Sequence, residues 1–292
     1  MSPNKTLGDR AGWSWLALAV VLTLTGSSAL GSMAMGQDLF PDKNLEAVVR
    51  QQVFEKRNNT MLIVEADVQN IAILHGNGKK ITNLAGLEKC RSLREVKLGN
   101  NEITDITPLK DLKEIQSLHL QKNKITSVAP LAELTALQYL DLSNNQVADI
   151  APLAKFAALG FLELTNNQVK DIAVLGGLKK LHALYLDSNP VADIKPLAAL
   201  KGMERLGLRN TGVADLAPLA EMTELSFLFL EGNKITDLGV LLAMAKKDVE
   251  GQGPKRFAPY LKIYLKGNPL AEAAQKTQLP ELQKLVKEVK LD

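Results

Sequence analysis

A single cysteine, Cys90, excludes an internal disulfide in this chain of 292 residues. The three histidines, His75, His119 and His182, give metal or acid–base chemistry little to work with. His75 and His119 hold equivalent places in a repeat but lie two coils apart, about 10 Å at strand spacing, too far for one metal ion to bridge. No G-x-S-x-G, H-E-x-x-H, P-loop or glycine-rich dinucleotide turn occurs. Carboxylate neighbours such as Asp141 and Glu163 are the one pairing open to acid–base chemistry, and a surface ladder brings such pairs together by chance. A net charge of +3 is too small to imply nucleic acid or an anionic membrane as partner. The expectation is a non-enzymatic chain with no cofactor and no metal.

One long apolar stretch is present, Ala11–Leu30. Lys5 and Arg10 precede its core, Trp13–Leu24, and the small residues Gly26, Ser27, Ser28 and Ala29 follow, the three-part pattern of a secretory signal peptide. Residues 1–36 are therefore expected to be a leader, cleaved after Ala29, Ala34 or Gly36, with the protein exported to the medium, periplasm or cell envelope. The alternative is an uncleaved anchor, since the stretch approaches the ~20 residues that span a bilayer; only then would a membrane be a partner. No cysteine stands near the cleavage region, which argues against a lipid anchor. Loss of Lys5, Arg10 and Asp9 would lower the net charge by one. An exported chain without disulfides must be held by packing.

Leucine, by contrast, is abundant and periodic. From residue 71 the pattern L-x-x-L-x-L-x-x-N-x-[IV]-x-D-[IL]-x-P-L-x-x-L-x-x recurs in blocks of 22: 71–92, 93–114, 115–136, 137–158, 159–180, 181–202 and 203–224. A longer block starts at 225 and a truncated one at 260. Leu140-Asp141-Leu142 alternates with the period of a half-buried strand. One such strand cannot bury its apolar face alone, but stacked neighbours can, which predicts a parallel ladder over a continuous core. The second half of the block returns the chain, with Ile150, Leu153 and Phe156 inward and Pro152 stiffening the turn; ~22 residues leave room only for a short 3₁₀ or irregular segment.

The polar columns of the repeat read as structural. Asn101, Asn123, Asn145, Asn167, Asn189, Asn233 and Asn268 are expected to form a buried ladder that satisfies backbone groups in the bend and of the next coil. Thr211 interrupts it. Asp105, Asp149, Asp171, Asp193, Asp215 and Asp237 are expected to cap the following turn, since they lack the clustered spacing of a calcium loop. Cys90 stands in a leucine column and reads as a buried small hydrophobe.

This pattern resembles the leucine-rich-repeat family, and its 22-residue internalin-like class in particular, over about two thirds of the chain. The implied fold class is α/β: a leucine-rich-repeat solenoid with a curved parallel sheet on the concave side, short 3₁₀ or irregular convex segments and helical caps. The implied organisation is an N-terminal helical cap at 37–70, repeats at 71–270 with an insertion at 239–259, and a C-terminal cap helix at 271–292. Internalin-like proteins are bacterial surface or secreted binders. This sequence shows neither an LPxTG-type wall anchor nor a further domain after its cap, so wall anchoring and host-cell invasion are not expected to carry over. Similarity to the 22-residue-repeat regulatory subunit of protein phosphatase 1 leaves an intracellular scaffold as an alternative. A structural envelope module without a ligand is another.

The ends fit caps. Residues 40–56 read as an amphipathic helix with Leu45, Val48, Val49 and Val53 on one stripe and Pro41 at its start. The first coil is degenerate, with Gly76 in place of a core leucine and Lys79 in place of the asparagine. Residues 238–247 read as a helix, followed by a loop at 248–259 carrying Lys255 and Arg256. Residues 279–291 read as one amphipathic helix through Leu282, Leu285, Val286 and Val289; a membrane or partner helix is its alternative reading.

Function is expected where the repeat leaves freedom. The third, fifth and seventh positions of each block point away from the core. Of the thirteen aromatics, two are Trp13 and Trp15; six of the other eleven, Tyr139, Phe161, Tyr185, Phe227, Phe229 and Tyr264, fall in these columns. Aromatics also favour strands, but such concentration at exposed positions suits an interface. Asp141, Glu163 and Asp187 surround the first three and predict an acidic aromatic patch; Arg205 and Arg209 beside Phe227 and Phe229 predict a basic one. The expected partner is a protein or peptide, apolar with a cationic stretch and an acidic group. Carbohydrate is the lesser alternative.

Overall fold

The computed structural model describes residues 38–251 and 257–292. The leader expected at 1–36, and Lys255 and Arg256 of the expected loop, lie outside them. Among the described residues no helix is long and apolar enough to cross a membrane.

Each block contributes one three-residue strand: β1 (Ile73–His75), β2 (Glu95–Lys97), β3 (Ser117–His119), β4 (Tyr139–Asp141), β5 (Phe161–Glu163), β6 (Ala183–Tyr185), β7 (Arg205–Gly207), β8 (Phe227–Phe229) and β9 (Lys262–Tyr264). With β10 (Glu288–Lys290) they stack in chain order as one open, parallel, ten-stranded sheet. The register is one for one, as where Tyr139, Leu140 and Asp141 face Phe161, Leu162 and Glu163. Because side chains alternate with period two, this register sends every central leucine to the core and aligns the free columns on the other face. Leu118, Leu140, Leu162, Leu184 and Leu206 are all fully buried.

The return path is 3₁₀, as at Ala151–Lys155 and Ala173–Gly177. The aspartate column opens it: Asp149 Oδ1 accepts from Ala151 N at 2.8 Å, and Asp105, Asp171, Asp193, Asp215 and Asp237 repeat the bond. Cys90 is buried in the leucine column, and burial, with Glu88 adding, pushes its thiol up to about 12.

Between strand and return every coil turns through the left-handed region at its eighth position: Gly78, Asn100, Lys122, Asn144, Asn166, Ser188, Asn210, Gly232 and Gly267. Glycine and asparagine bear that conformation at least cost. The asparagine column comes next and reaches backward, not forward as expected. Asn145 Nδ2 donates to Leu142 O (2.9 Å) and to Leu120 O of the preceding coil (3.0 Å), while Oδ1 accepts from Ile125 N (3.0 Å). The cause is the direction of the strand bonds. Leu120 N donates forward to Asp141 O, but its own carbonyl has no strand partner and needs a donor from the coil that follows. Asn101, Asn123, Asn167, Asn189, Asn233 and Asn268 make equivalent pairs of contacts.

At the N-terminal end α1 (Lys43–Gln52) is shorter than the sequence pattern, and Asp42 rather than Pro41 starts it. Asp42 Oδ1 accepts from Asn44 N and Leu45 N; Oδ2 accepts from Thr82 N, Thr82 Oγ1 and Asn83 N, which bolts the cap to the first coil. Burial alone would raise the Asp42 carboxyl, but these bonds outweigh it and hold it below the usual range. Gly76 is explained by the same helix. A Cβ there would lie 3.3 Å from Val48 Cγ1 and 3.1 Å from Leu98 Cδ2, so α1 fills the place of the absent leucine. A short α2 (Glu65–Val68) completes this end.

The other end departs further from expectation. The insertion forms α3 (Gly239–Glu250). The expected 279–291 helix is instead a wide turn at Ala274–Gln278 running into α4 (Leu279–Leu285), after which Val286 is extended and the chain becomes β10. An uncovered β9 edge would leave its backbone groups unpaired. β10 pairs them, with Leu265 N donating to Lys290 O at 2.8 Å.

Candidate binding face

The free columns form one row of rings across the strands. His119 stacks on Tyr139 (4.4 Å between centroids), Tyr139 on Phe161 (4.3 Å, 7° apart), and Phe161 meets Tyr185 at 5.8 Å and 46°. Farther along, Phe229 stacks with Tyr264 at 4.8 Å and with Phe227 at 6.1 Å. The two halves meet over β7. There Gly207 has no side chain, and a Cβ would fall 2.7 Å from Tyr185 Cδ1. The Tyr185 ring occupies that space and comes within 6.3 Å of Phe229, two strands away. The rings are half-buried by one another, so the face is less open than the alternation alone suggests. His119 belongs to the row although the sequence reading left it out; it stands in the fifth column beside Asp141. Burial, with Lys97 adding, lowers its pKa, so the ring is neutral at pH 7.

The two expected charge patches are not separate. Arg209 bridges them: Nη1 lies 2.7 Å from Asp187 Oδ2, Nε lies 3.0 Å from Glu231 Oε1, and its backbone N donates to Asp187 Oδ1 at 2.8 Å. The guanidinium also sits 3.9 Å above the Phe229 ring. The seventh column places Asp187 and Arg209 on adjacent strands within reach, so these two charges neutralise each other. Burial raises the Asp187 carboxyl, and the Arg209 bonds offset only part of that. Asp187 is 7% exposed and Asp141 9%, which removes both from the freely solvated surface.

What remains is an acidic centre and a basic end. Asp141 Oδ1 accepts from Ser143 N and Oγ, and Glu163 Oε1 accepts from Thr165 N. Burial pushes Glu163 up to about 7; Thr165 opposes the shift, and Asp141 and Asp187 add to it. The Tyr139 phenol is pushed up to about 12, by burial first and then by Asp141 and Glu163. Toward the C-terminus Arg205 and Lys262 stand 5.2 and 5.8 Å from the Phe227 ring, and Lys290 stands 5.5 Å from Tyr264. Two buried acceptors on this face, Gln121 Oε1 and Glu231 Oε2, have no donor among the described residues. No group of three His, Cys, Asp or Glu side chains among the described residues could hold a metal ion.

The bend behind this face is regular except at Thr211. Its Oγ1 lies 2.8 Å from Leu208 O and 3.0 Å from Asn233 Oδ1, and it does not reach the preceding coil. Val191 N bonds Asn189 O instead.

Comparison with known proteins agrees with the coil geometry. Leucine-rich-repeat models match residues 89–106 and, as two copies, 113–155. No curated protein matches the sequence. Internalin C2 of Listeria monocytogenes is 32% identical with a TM-score of 0.69, the alignment covering 78% of this chain and 95% of that one. An internalin of the same organism, InlF, is 24% identical with a TM-score of 0.57, over 87% and 90%. The functional domain of Listeria monocytogenes InlJ shares the fold at 21% identity and a TM-score of 0.62; this chain covers 54% of it. That domain includes a cysteine ladder, which a chain with one cysteine cannot make. Asparagines carry the ladder here, and on this likeness the chain belongs to the internalin-like family of leucine-rich-repeat proteins, non-enzymatic modules of protein–protein interaction.

Proposed function

We propose that this protein is exported and binds an extended segment of a protein partner across its concave face, with the ring row as the platform. The row from His119 to Tyr264 carries the reading: seven rings in mutual contact on one face form a preorganised apolar surface. Charge orders the segment. The carboxylates on β4 and β5 and the guanidinium of Arg205 on β7 are two to three strands apart, about 10–14 Å. In an extended chain that is three to four residues, so the segment carries a cation and an anion at that spacing. Export is supported by the signal-like N-terminus and by the family, whose members are surface or secreted proteins.

The test is capture from the source cell's envelope and medium with three baits: wild type, Phe161→Ser, and a variant with Tyr139, Phe161, Tyr185, Phe227 and Phe229 changed to Ser. Melts by circular dichroism exclude unfolding as the cause. A protein held by the wild type and lost from the Phe161→Ser bait supports the face. Equal retention by all three folded baits moves the site elsewhere.

A further inference from the structure

We infer that Asp141 and Glu163 form the seat for an arginine side chain of the partner, its guanidinium held by both carboxylates beside the Phe161 ring. This rests on the concave-face reading and names the chemistry of its central contact.

Three observations converge. The first is open acceptor capacity at the surface. Asp141 is 9% exposed and both of its hydrogen bonds fall on Oδ1 and come from Ser143; among the described residues Oδ2 accepts no bond, and it keeps contact with solvent. Glu163 takes its bonds from Thr165, again two residues along its own strand. Neither carboxylate is in an ion pair among the described residues. Two carboxylates opposite one another on neighbouring strands repel, and a cation between them removes that repulsion.

The second is a precedent on the same sheet. Arg209 lies between two carboxylates, Asp187 and Glu231, with its guanidinium over the Phe229 ring. Asp141, Glu163 and Phe161 present the same components on β4 and β5 without a guanidinium. The acids here are on adjacent strands rather than two strands apart, so the cation enters from above the sheet instead of from the strand between.

The third is the surroundings. Around Glu163 stand Asp141 and Tyr139 on β4, Tyr185 and the small Ala183 on β6, and Asp187 beyond β6. No basic group faces it from either strand. Phe161 lies two residues before Glu163 on the same strand face, stacked on Tyr139 and tilted by 46° from Tyr185, and is half-buried rather than covered. A planar, weakly hydrated guanidinium can stack on a ring and bond two carboxylates at once; an ammonium cannot do both.

Ionisation then couples to binding. Burial keeps Glu163 half-protonated near pH 7, and only the carboxylate attracts the cation, so seating it releases a proton and affinity rises with pH.

The probe is butylguanidinium chloride, compared with butylammonium chloride and methyl β-glucoside, followed through the Phe161 and Glu163 side-chain NMR signals of the full chain. Butylguanidinium should shift both signals saturably, about tenfold more tightly at pH 8 than at pH 6, the ratio of ionised Glu163 for a midpoint near 7. Glu163→Gln and Asp141→Asn should each weaken it at least tenfold, with thermal melts confirming both fold. Unchanged affinity in both variants, or equal affinity at the two pH values, overturns the seat. Saturable shifts from the glucoside with none from butylguanidinium overturn it in favour of a sugar site. If butylguanidinium binds as described while no bait captures a protein, the seat stands and the broader reading falls. If a protein is captured equally by wild type and Glu163→Gln but lost from Phe161→Ser, the broader reading stands and the seat falls.

Discussion

The coils at 93–180 and the pair at 181–224 follow one sequence pattern but are fastened on opposite sides. In the first group each bend bonds the coil before it twice over. An asparagine accepts from the earlier coil, and the residue after it donates a backbone bond, as Lys124 N does to Ile103 O, Gln146 N to Ile125 O and Gln168 N to Val147 O. Between 181–202 and 203–224 both bonds are missing among the described residues. Thr211 replaces the asparagine, and Gly212 N turns to Asn233 Oδ1. That joint is closed from the sheet face instead, by Arg209 crossing β6, β7 and β8 and by Tyr185 lying over Gly207. Side chains on the variable face are therefore not all free for a partner. Asp187 and Arg209 take over a structural duty that asparagine performs elsewhere.

The strongest way to break this comparison is Arg209→Ala. It leaves Asp187, 7% exposed, without its cation, and because the Arg209 side chain is one third exposed and its backbone N–H bond to Asp187 remains, the loss should be about 2–3 kcal/mol, below that of a fully buried pair. Arg205→Ala, four residues earlier in the same coil and on an exposed side chain, should stay within about 0.5 kcal/mol. Urea denaturation of both variants checks this. Equal, small losses would mean that the joint does not depend on the face.

Glu163→Gln sharpens the contrast within the regular coils, where the asparagine side is satisfied and the face holds a carboxylate without a cation. Burial pushes the folded Glu163 carboxyl up to about 7, above the usual 4.5. Between those values the folded state holds a proton that the unfolded state has released, so stability falls as pH rises through this window and stays low above it. The glutamine variant should remove that slope and be more stable than wild type at pH 8, by roughly 2 kcal/mol. Denaturant midpoints at pH 5 and pH 8 test the sign. A variant less stable at pH 8 would show that the carboxylate is satisfied as it stands. A residue that costs stability when the protein is free, at the centre of a ring platform, fits a binding role better than a structural one.

Much of this was legible in the sequence, for reasons that also mark the limit. Period two in Leu140-Asp141-Leu142 and the spacing of 22 determine which side chains meet the core, because one register serves all coils. The turn at position eight was equally visible as a run of Asn and Gly, yet no charge or apolar signal draws attention to it. What could not be read was contact between columns. That Arg209 would be shared by Asp187 and Glu231 depends on side-chain reach across strands, not on a motif. The absence of a side chain at Gly207 acquires meaning only once Tyr185 is seen leaning over it. At the C-terminus, periodicity could not separate a helix running to 291 from a helix ending at Leu285, because the pairing demand of the β9 edge decided the outcome.

The smallest expected effect tests the origin of the difference. In the regular joints the asparagine amide accepts from the earlier coil's eleventh residue and donates to its sixth, as Asn189 does with Val169 N and Leu164 O. Thr211→Asn would offer the same to Val191 N and Leu186 O while still reaching Leu208 O. The threonine hydroxyl has one proton for two acceptors, so little is lost. The net gain should be about 0.5–1 kcal/mol, the usual worth of an added intramolecular hydrogen bond. The Val191 amide, now bonded within its own coil to Asn189 O, should exchange its hydrogen more slowly. Hydrogen exchange at that single amide, beside the urea midpoint, separates two causes. If exchange slows and stability rises, Thr211 alone opened the joint. If neither changes, Pro190, which has no N–H to give to the coil before it, holds the bend in a shape the asparagine cannot use.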